Sequence, residues 1–369
     1  MKIVAYIQMA RIHDRPTGVG KHIINVLPRL AAANGVSLKV MTTAKPAFSP
    51  PPATPEILRP TIVLPAHRKA LEIAWMTLGF PSTDRWAGNA DWVYCPTEIP
   101  VPTRRSRLAV TCHGLWWLEL GEPWSNTRSM RRNRIKWKWR MGTIRRHADL
   151  VFVVSEFLKN RVEALTGIKS EKIVVIGNGV EKSYFDIALC RRQEQRQPYL
   201  LMVGGLTALK GAAVVIETAK ILESRKSSIQ ILVAGTGEKY FERQAQTLKN
   251  VQVLGYCGPD TLPQLVRNAT ALFFPSQYET FGIPAAEAMA AGTPAIVSNC
   301  AGLMEVVGEA GIVIDRLTGA ADAADAAIEL AENSGRREQL AEKGRVRASA
   351  YTWDECTRRM LAAFSRASG

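Results

Sequence analysis

Residues 271–294 read ALFFPSQYETFGIPAAEAMAAGTP, and the order of signals within them sets the fold. An apolar strand, ALFFP, ends in a polar turn. Gly282 frees the backbone, Pro284 suits the first turn of a helix, and IPAAEAMAAG carries that helix before PAIVSN returns as a strand. Strand, helix and strand in so few residues is a parallel crossover, and a parallel sheet needs helices over both faces. Glu279 falls just past the carboxyl end of its strand, where open α/β sheets hold their ligands. Glu287 falls on the second turn of the helix, whose first N–H groups are a ready site for phosphate or sugar oxygens. Two carboxylates placed in this way can address two parts of one extended ligand.

The same alternation continues in both directions. Upstream, YLLMVGG, SIQILVAG and VQVLGY are strands interleaved with the helices GAAVVIETAKILES, EKYFERQAQTLK and PDTLPQLVRNA, and AGIVID closes the series. An earlier series opens with the strand KIVAYIQMA, the glycine-led helix TGVGKHIINVLPRLAAA and the strand VSLKVMTT. KPAFSPPPATPEILRP reads as an irregular excursion, and DWVYC, RLAVTC, LVFVVS and KIVVIG as further short strands. The polar stretch from Ala188 to Pro198 reads as a linker. The expectation is α/β: two Rossmann-like, doubly wound domains, 1–185 and 186–351, facing each other across a cleft.

Composition narrows the class. A chain of 369 residues exceeds one usual core. With 47% hydrophobic and 22% charged residues it is not disordered, collagenous or a coiled coil. Six Cys without a CxxC and five scattered His offer no zinc framework and no disulfide pattern, so a reducing cytosol fits. The apolar run Ile3 to Ile7 is too short for a signal-peptide core, and no stretch approaches the roughly 20 apolar residues of a membrane span. The net charge of +15 is unevenly spread: residues 1–185 hold 28 Lys and Arg against 13 Asp and Glu, while the remainder holds 20 of each. Eight of the nine Trp also lie in the first half. That half expects an anionic partner.

The excess concentrates between Pro123 and Ala148, which carry nine Arg or Lys and no acid. On a helix, Met130, Trp137, Met141 and Ile144 share one face, the buried one. Ile135 and Trp139 project from the opposite side beside Arg128, Arg132 and Arg146. Indole at the interface and cations against acidic headgroups suit an anionic membrane surface, with on the order of 1 kcal/mol per cation. No nucleic-acid motif accompanies the helix, so a nucleic-acid partner is not expected.

Glu-x7-Glu followed by AMAAGTPAIVSN, together with ADLVFVVSEFLKN, IGNGV and MVGGLTALKG upstream, resembles the retaining glycosyltransferases of family 4, the group 1 enzymes of GT-B fold. The resemblance runs from TGVGKHI to the final helix, TWDECTRRMLAAFSRA, which in this fold crosses back, here as 352–369, onto the first domain. It implies that Glu279 contacts the donor sugar near its reacting face and that Glu287 holds the ribose hydroxyls. Amides of Thr280, Phe281, Gly282 and Ile283 would bind sugar hydroxyls and phosphate oxygens, and Lys210 would neutralise the diphosphate. His113 in VTCHGLW matches the His that touches the donor sugar. Gly18 and Gly20 match the glycine loop beside the diphosphate, and the stretches around Gly235 and Gly255-Tyr256 should line the base pocket. Many relatives carry an Arg at the position of Gly205 or just before the Lys. This chain has Gly205 and Leu209 there, leaving Lys21 or Arg15 as compensating cations.

The resemblance therefore implies a metal-independent, cofactor-free hexosyltransferase that retains anomeric configuration. The motif is most like bacterial mannosyltransferases of polysaccharide assembly, which makes GDP-mannose the expected nucleotide-sugar donor. The basic helix makes a polyprenyl-diphosphate-linked saccharide the expected acceptor, with the protein peripheral at the inner face of the membrane. A transferase using UDP-glucose or a UDP-N-acetylhexosamine on a soluble acceptor is the nearest alternative. A non-catalytic lipid- or nucleic-acid-binding relative is the alternative of another class.

Overall fold

The computed structural model describes residues 1–12, 17–44, 55–122, 128–190 and 197–368. Arg15, most of the proline-rich excursion and the middle of the polar stretch 188–198 lie outside the described residues. The chain divides into two compact units, Met1–Gly179 with Trp353–Gly369, and Val180–Thr352.

The first unit holds β1 (Lys2–Tyr6), α1 (Gly18–Ala32), β2 (Ser37–Ala44), β3 (Ile62–His67), α2 (Arg68–Leu78) and α3 (Asp84–Ala87). It continues with β4 (Trp92–Cys95), β5 (Arg107–Cys112), α4 (Arg128–His147), β6 (Leu150–Val153), α5 (Glu156–Thr166) and β7 (Ile173–Val175). All seven strands are parallel, in the order β3-β2-β1-β4-β5-β6-β7. The inner strands are apolar on both faces: every residue of β4 and β6 is buried, as a sheet covered by helices requires. β3 contains Pro65, which withholds a ladder donor and accordingly sits at the sheet edge.

The second unit opens with α6 (Lys182–Ala188), β8 (Tyr199–Val203), α7 (Ala212–Ser224), β9 (Gln230–Ala234), α8 (Lys239–Ala245), β10 (Val251–Gly255) and α9 (Leu262–Asn268). β11 (Ala271–Phe274), α10 (Ile283–Ala290), β12 (Ala295–Ser298), α11 (Ala301–Val307), β13 (Gly311–Ile314), α12 (Ala320–Glu332) and α13 (Ser334–Ala348) complete it. Its six strands are parallel in the order β10-β9-β8-β11-β12-β13. The last helix, α14 (Trp353–Ser368), belongs to the first unit. Trp353, Met360 and Phe364 join Ile3, Ala5, Leu27, Leu30, Trp92 and Phe152 in its core.

Both units are thus doubly wound α/β sheets of the same handed order. In each, the first strand is central and the winding reverses beside it, between β1 and β4 and between β8 and β11. Such reversals leave a crevice beyond the carboxyl ends of the strands, where ligands of open α/β sheets bind.

Candidate functional site

The strand-end loops of the second unit are laced into one rim by backbone hydrogen bonds. The amides of Gly204 and Gly205, after β8, both donate to Ala234 O at the end of β9, at 2.8 and 3.2 Å. Gly235 N donates to Gly255 O at 2.6 Å, joining the ends of β9 and β10. Glu238 N reaches Leu206 O at 2.8 Å, and Gln277 N, after β11, reaches Leu209 O at 2.9 Å. Lacing this close excludes side chains at the crossing points. Gly205 has φ +77°, and a Cβ there would overlap the carbonyl oxygen of Thr236. The absence of an Arg at that position is therefore a backbone requirement of this chain. Tyr256 stands at the same rim with 44% of its surface exposed.

Lys210 closes a single 3-10 turn, Ala208–Lys210, whose N-cap Thr207 accepts from the Lys210 amide at 3.3 Å. Its ammonium lies 4.9 Å from the centre of the Phe274 ring and forms an ion pair with the Glu279 carboxylate. The side chains of the pair are 29% and 16% exposed, so ligand access and partial desolvation coexist. Ser276 Oγ donates to the same carboxylate at 3.3 Å. The Glu279 backbone is pinned by Cys300, whose sulfur accepts the Glu279 amide at 3.0 Å and donates back to its carbonyl at 3.6 Å. Burial pushes the Cys300 thiol up to about 11, so it stays protonated and able to donate.

Thr280 and Phe281 lead into Gly282, the N-cap of α10 at φ +90°, with Pro284 in the first turn. The first-turn amides of a helix have no intrahelical acceptor, and α10 presents its own beside Glu279. Glu287 is buried within α10, hydrogen-bonded to the hydroxyl of Tyr184 from α6. Burial, the Glu287 charge and Glu181 all hold the Tyr184 phenol protonated. Glu279 and Glu287 are therefore placed differently: one faces an ammonium at the rim, the other a buried phenol.

In the first unit, His113 follows β5. Its amide donates to Glu98 Oε1 at 2.5 Å and its Nε2 lies 2.9 Å from Pro96 O. A carbonyl only accepts, so Nε2 carries the hydrogen. Burial lowers the His113 pKa, partly offset by Glu98 and Pro96, which keeps the imidazole neutral. Its ring meets that of His22 edge-on at 4.9 Å. His22, on α1, is fully buried between Asn178 Oδ1 at 3.2 Å and Tyr94 Oη at 3.3 Å, and its pKa is driven down to about 3 by burial and by His113. Gly18 and Gly20 lie inside the first turn of α1, where Gly20 N donates to the capping Thr17 Oγ1 at 3.4 Å.

On α4, Met130, Met141 and Ile144 are buried and Trp137 half-buried under Arg140, whose guanidinium is 5.5 Å from its ring. Ile135 and Trp139 are 72% and 51% exposed, beside exposed Arg128, Arg132 and Arg146. Among the described residues no three His, Cys, Asp or Glu side chains gather as a metal-ligand set. No helix of the described residues is long and apolar enough to cross a membrane.

Sequence reasoning missed Tyr184, Cys300 and Glu98. Glu98 carried the signal used for His113, an ionisable residue just past a strand. Tyr184 had none, because its partner lies about a hundred residues away and on another helix.

Comparison with known proteins bears on the same residues. Residues 191–347 match the family "Glycosyl transferases group 1", and residues 16–184 match "Glycosyltransferase Family 4". The chain is 25% identical to O-antigen chain mannosyltransferase B of Escherichia coli, across 94% of this chain and 96% of that one. It is 37% identical to an uncharacterized glycosyltransferase, MJ1607, of Methanocaldococcus jannaschii, over 42% of this chain and only 44% of the relative. Among solved structures, WaaG, a glycosyltransferase involved in lipopolysaccharide biosynthesis, superposes with a TM-score of 0.72 at 18% identity, covering 98% of this chain and 99% of that one. Anabaena Alr3699/HepE in complex with UDP-glucose gives 0.73 at 17% identity over 99% and 100%. The architecture is that of GT-B glycosyltransferases.

Proposed function

Because the chain belongs to the group 1 glycosyltransferases of family 4, we propose that it transfers mannose from GDP-mannose to a polyprenyl-diphosphate-linked saccharide in polysaccharide assembly. The observation that carries this reading is the Lys210–Glu279 pair at the carboxyl end of β11, beside the first turn of α10. The donor diphosphate takes Lys210 as its counter-charge and the amides of Thr280 to Ile283 as hydrogen-bond donors. Glu287, oriented by Tyr184, accepts from the ribose hydroxyls, and the base stacks near Tyr256 over the Gly235–Gly255 bridge.

Cleaving the sugar–phosphate bond builds positive charge on the anomeric carbon and negative charge on the leaving diphosphate. Glu279, released from Lys210 when the diphosphate arrives, faces the first of these charges, and Lys210 with the helix terminus the second. The neutral His113 imidazole serves a sugar hydroxyl. Attack from the same face, with the leaving phosphate taking the acceptor's proton, retains configuration and calls on no metal or resident cofactor. The cationic first unit takes the acceptor, and α4 holds the protein peripherally against the anionic inner leaflet.

Thermal shift of the full chain against GDP-mannose, UDP-glucose, UDP-N-acetylglucosamine and ADP-glucose, followed by transfer of labelled sugar, tests the reading. GDP-mannose at a hundred times its Kd should stabilise by about 2.7 kcal/mol. Stabilisation and turnover by UDP sugars alone would replace the donor. Binding without turnover on any acceptor would leave a non-catalytic relative.

A further inference from the structure

The sequence singled out α4 for its charge, but the exposed apolar surface beside it extends to a second helix. α2 leaves Ile73 58% exposed, and its C-terminal turn presents Leu78 and Phe80 at 76% and 57%. That turn is held in place. Gly79 caps α2 in the left-handed region with its amide on Trp75 O at 3.2 Å, and Trp75 Nε1 donates to Pro81 O at 3.0 Å. Trp75 is itself locked against Tyr6 of β1, ring centres 5.3 Å apart, which fixes α2 on one face of the first sheet. Leu78 and Phe80 are therefore displayed by an anchored corner.

The surroundings of the corner are cationic. Arg85 of α3 is exposed four residues beyond the Trp75-bound Pro81 and lies over the Trp86 ring at 4.7 Å. Exposed Arg104 and Arg105 are brought alongside by the buried Asp84, whose Oδ2 accepts their amides at 2.6 and 3.0 Å. The acid is consumed by those backbone donors, which hold its pKa well below the usual carboxylate range, while the guanidinium groups stay at the surface. Likewise, the Glu72 carboxylate on α2 is occupied by Gln8 at 2.5 Å.

α2 packs directly beside α4. Helical spacing turns Ile73 away from the buried Leu71 and Trp75, and turns Ile135 and Trp139 away from the buried Met141 and Ile144. The outward sides of two neighbouring helices thus combine large apolar side chains with exposed Arg and Lys, Arg68 being paired with Glu72 at 3.8 Å.

We propose that the outer side of the α2–α4 layer is one bilayer-docking face, in which Leu78 and Phe80 insert among the acyl chains while α4 and the Arg85–Arg105 rim bind acidic headgroups. Charge complementarity together with the exposed apolar tips selects the occupant: an anionic leaflet offers headgroups to the cations and acyl chains to Leu78 and Phe80. This deepens the peripheral attachment that forms part of the proposed function, and rests on it. It assigns the insertion to a corner distinct from the basic helix.

The test floats the full chain with phosphatidylcholine vesicles carrying either no phosphatidylglycerol or about one third of it. Wild-type protein should float with the anionic vesicles only. The double variant Leu78→Ser/Phe80→Ser should lose at least ~10-fold in vesicle affinity with an unchanged melting temperature, since each apolar tip removed forfeits its transfer from water. The triple variant Arg128→Glu/Arg132→Glu/Arg146→Glu should lose the dependence on phosphatidylglycerol. If the double variant binds like wild type, the insertion is overturned even where the charge variant fails. If wild-type protein ignores both vesicles, docking as a whole is overturned. Sugar transfer to a detergent-dispersed acceptor, assayed without vesicles, separates these outcomes from failure of the glycosyltransfer reading, because the double variant should retain it.

Discussion

At the residue scale the Lys210–Glu279 pair does two things at once. Without ligand each group neutralises the other in a site only partly open to water, and a diphosphate must compete with Glu279 for the ammonium. Glu279→Gln removes that competition and the electrostatic partner of the anomeric carbon together. Turnover should fall by about 10²–10³-fold while affinity for the free nucleoside diphosphate stays level or rises, measured by steady-state kinetics beside calorimetry. Weaker nucleotide binding with intact turnover would remove Glu279 from the chemistry. His22 makes a separate prediction, in stability. Its folded pKa of about 3 lies below the unfolded value of about 6.5, so the unfolded chain binds more protons throughout that interval. Its contribution is complete above the unfolded pKa and is lost as the pH falls, by about 2 kcal/mol between pH 7 and pH 5. Urea titrations at the two pH values should show that loss and show it diminished in His22→Gln, where no proton can be taken up.

At the scale of elements, the loops around the site are held by backbone against backbone, so glycine positions carry more constraint than charged ones. Gly205→Ala places a Cβ into the Thr236 carbonyl at a left-handed φ and should cost about 2–4 kcal/mol, read from the urea unfolding midpoint. Gly205→Arg, which would install the side chain many relatives carry, should fold no better. This pattern also explains what was legible in the sequence. Twelve of the thirteen strands among the described residues announce themselves because a doubly covered parallel sheet demands short apolar runs such as ALFFP and LVFVV. β3, IVLPAH, was hidden by its proline and its alternating exposure at the sheet edge. α13, SGRREQLAEKGRVRA, was hidden because it buries only four residues, and its periodicity is correspondingly weak. The position of Glu279 past its strand end was readable from local order, whereas Lys210 and His113 entered through the family resemblance. The orienting partners were not readable: Cys300 and Tyr184 arrive through crossovers whose packing no local pattern reports.

At the scale of the molecule, the chain enters the second unit at Val180 and returns to the first at Trp353, so the first unit is completed by the last seventeen residues of the sequence. That return is not a surface attachment. Trp353, Cys356, Met360, Ala363 and Phe364 are all buried, and Phe364 meets Trp92, Tyr94 and Phe152 edge-on at 5.0, 6.1 and 5.2 Å. Gly179 faces the backbone of Trp353 with no room for a Cβ, and Cys356 Sγ donates to Gly177 O at 3.5 Å. Each large side chain removed from such a core costs about 3–5 kcal/mol, which is comparable with the whole stability of many domains. The second unit has its own core of Leu200, Val215, Ile231, Phe273 and Ile296, to which α14 contributes nothing. Ending the chain after Thr352 should therefore unfold the first unit selectively. Hydrogen exchange should show β1, β4 and α1 losing protection, while β8, β9 and β11 remain protected and nucleotide still stabilises the remainder. Retention of protection throughout β1 and β4 would mean that the first core closes without α14. Loss of protection in both units together would mean that the two sheets unfold as one cooperative body, and the assignment of the nucleotide to a self-sufficient second unit would fall with it.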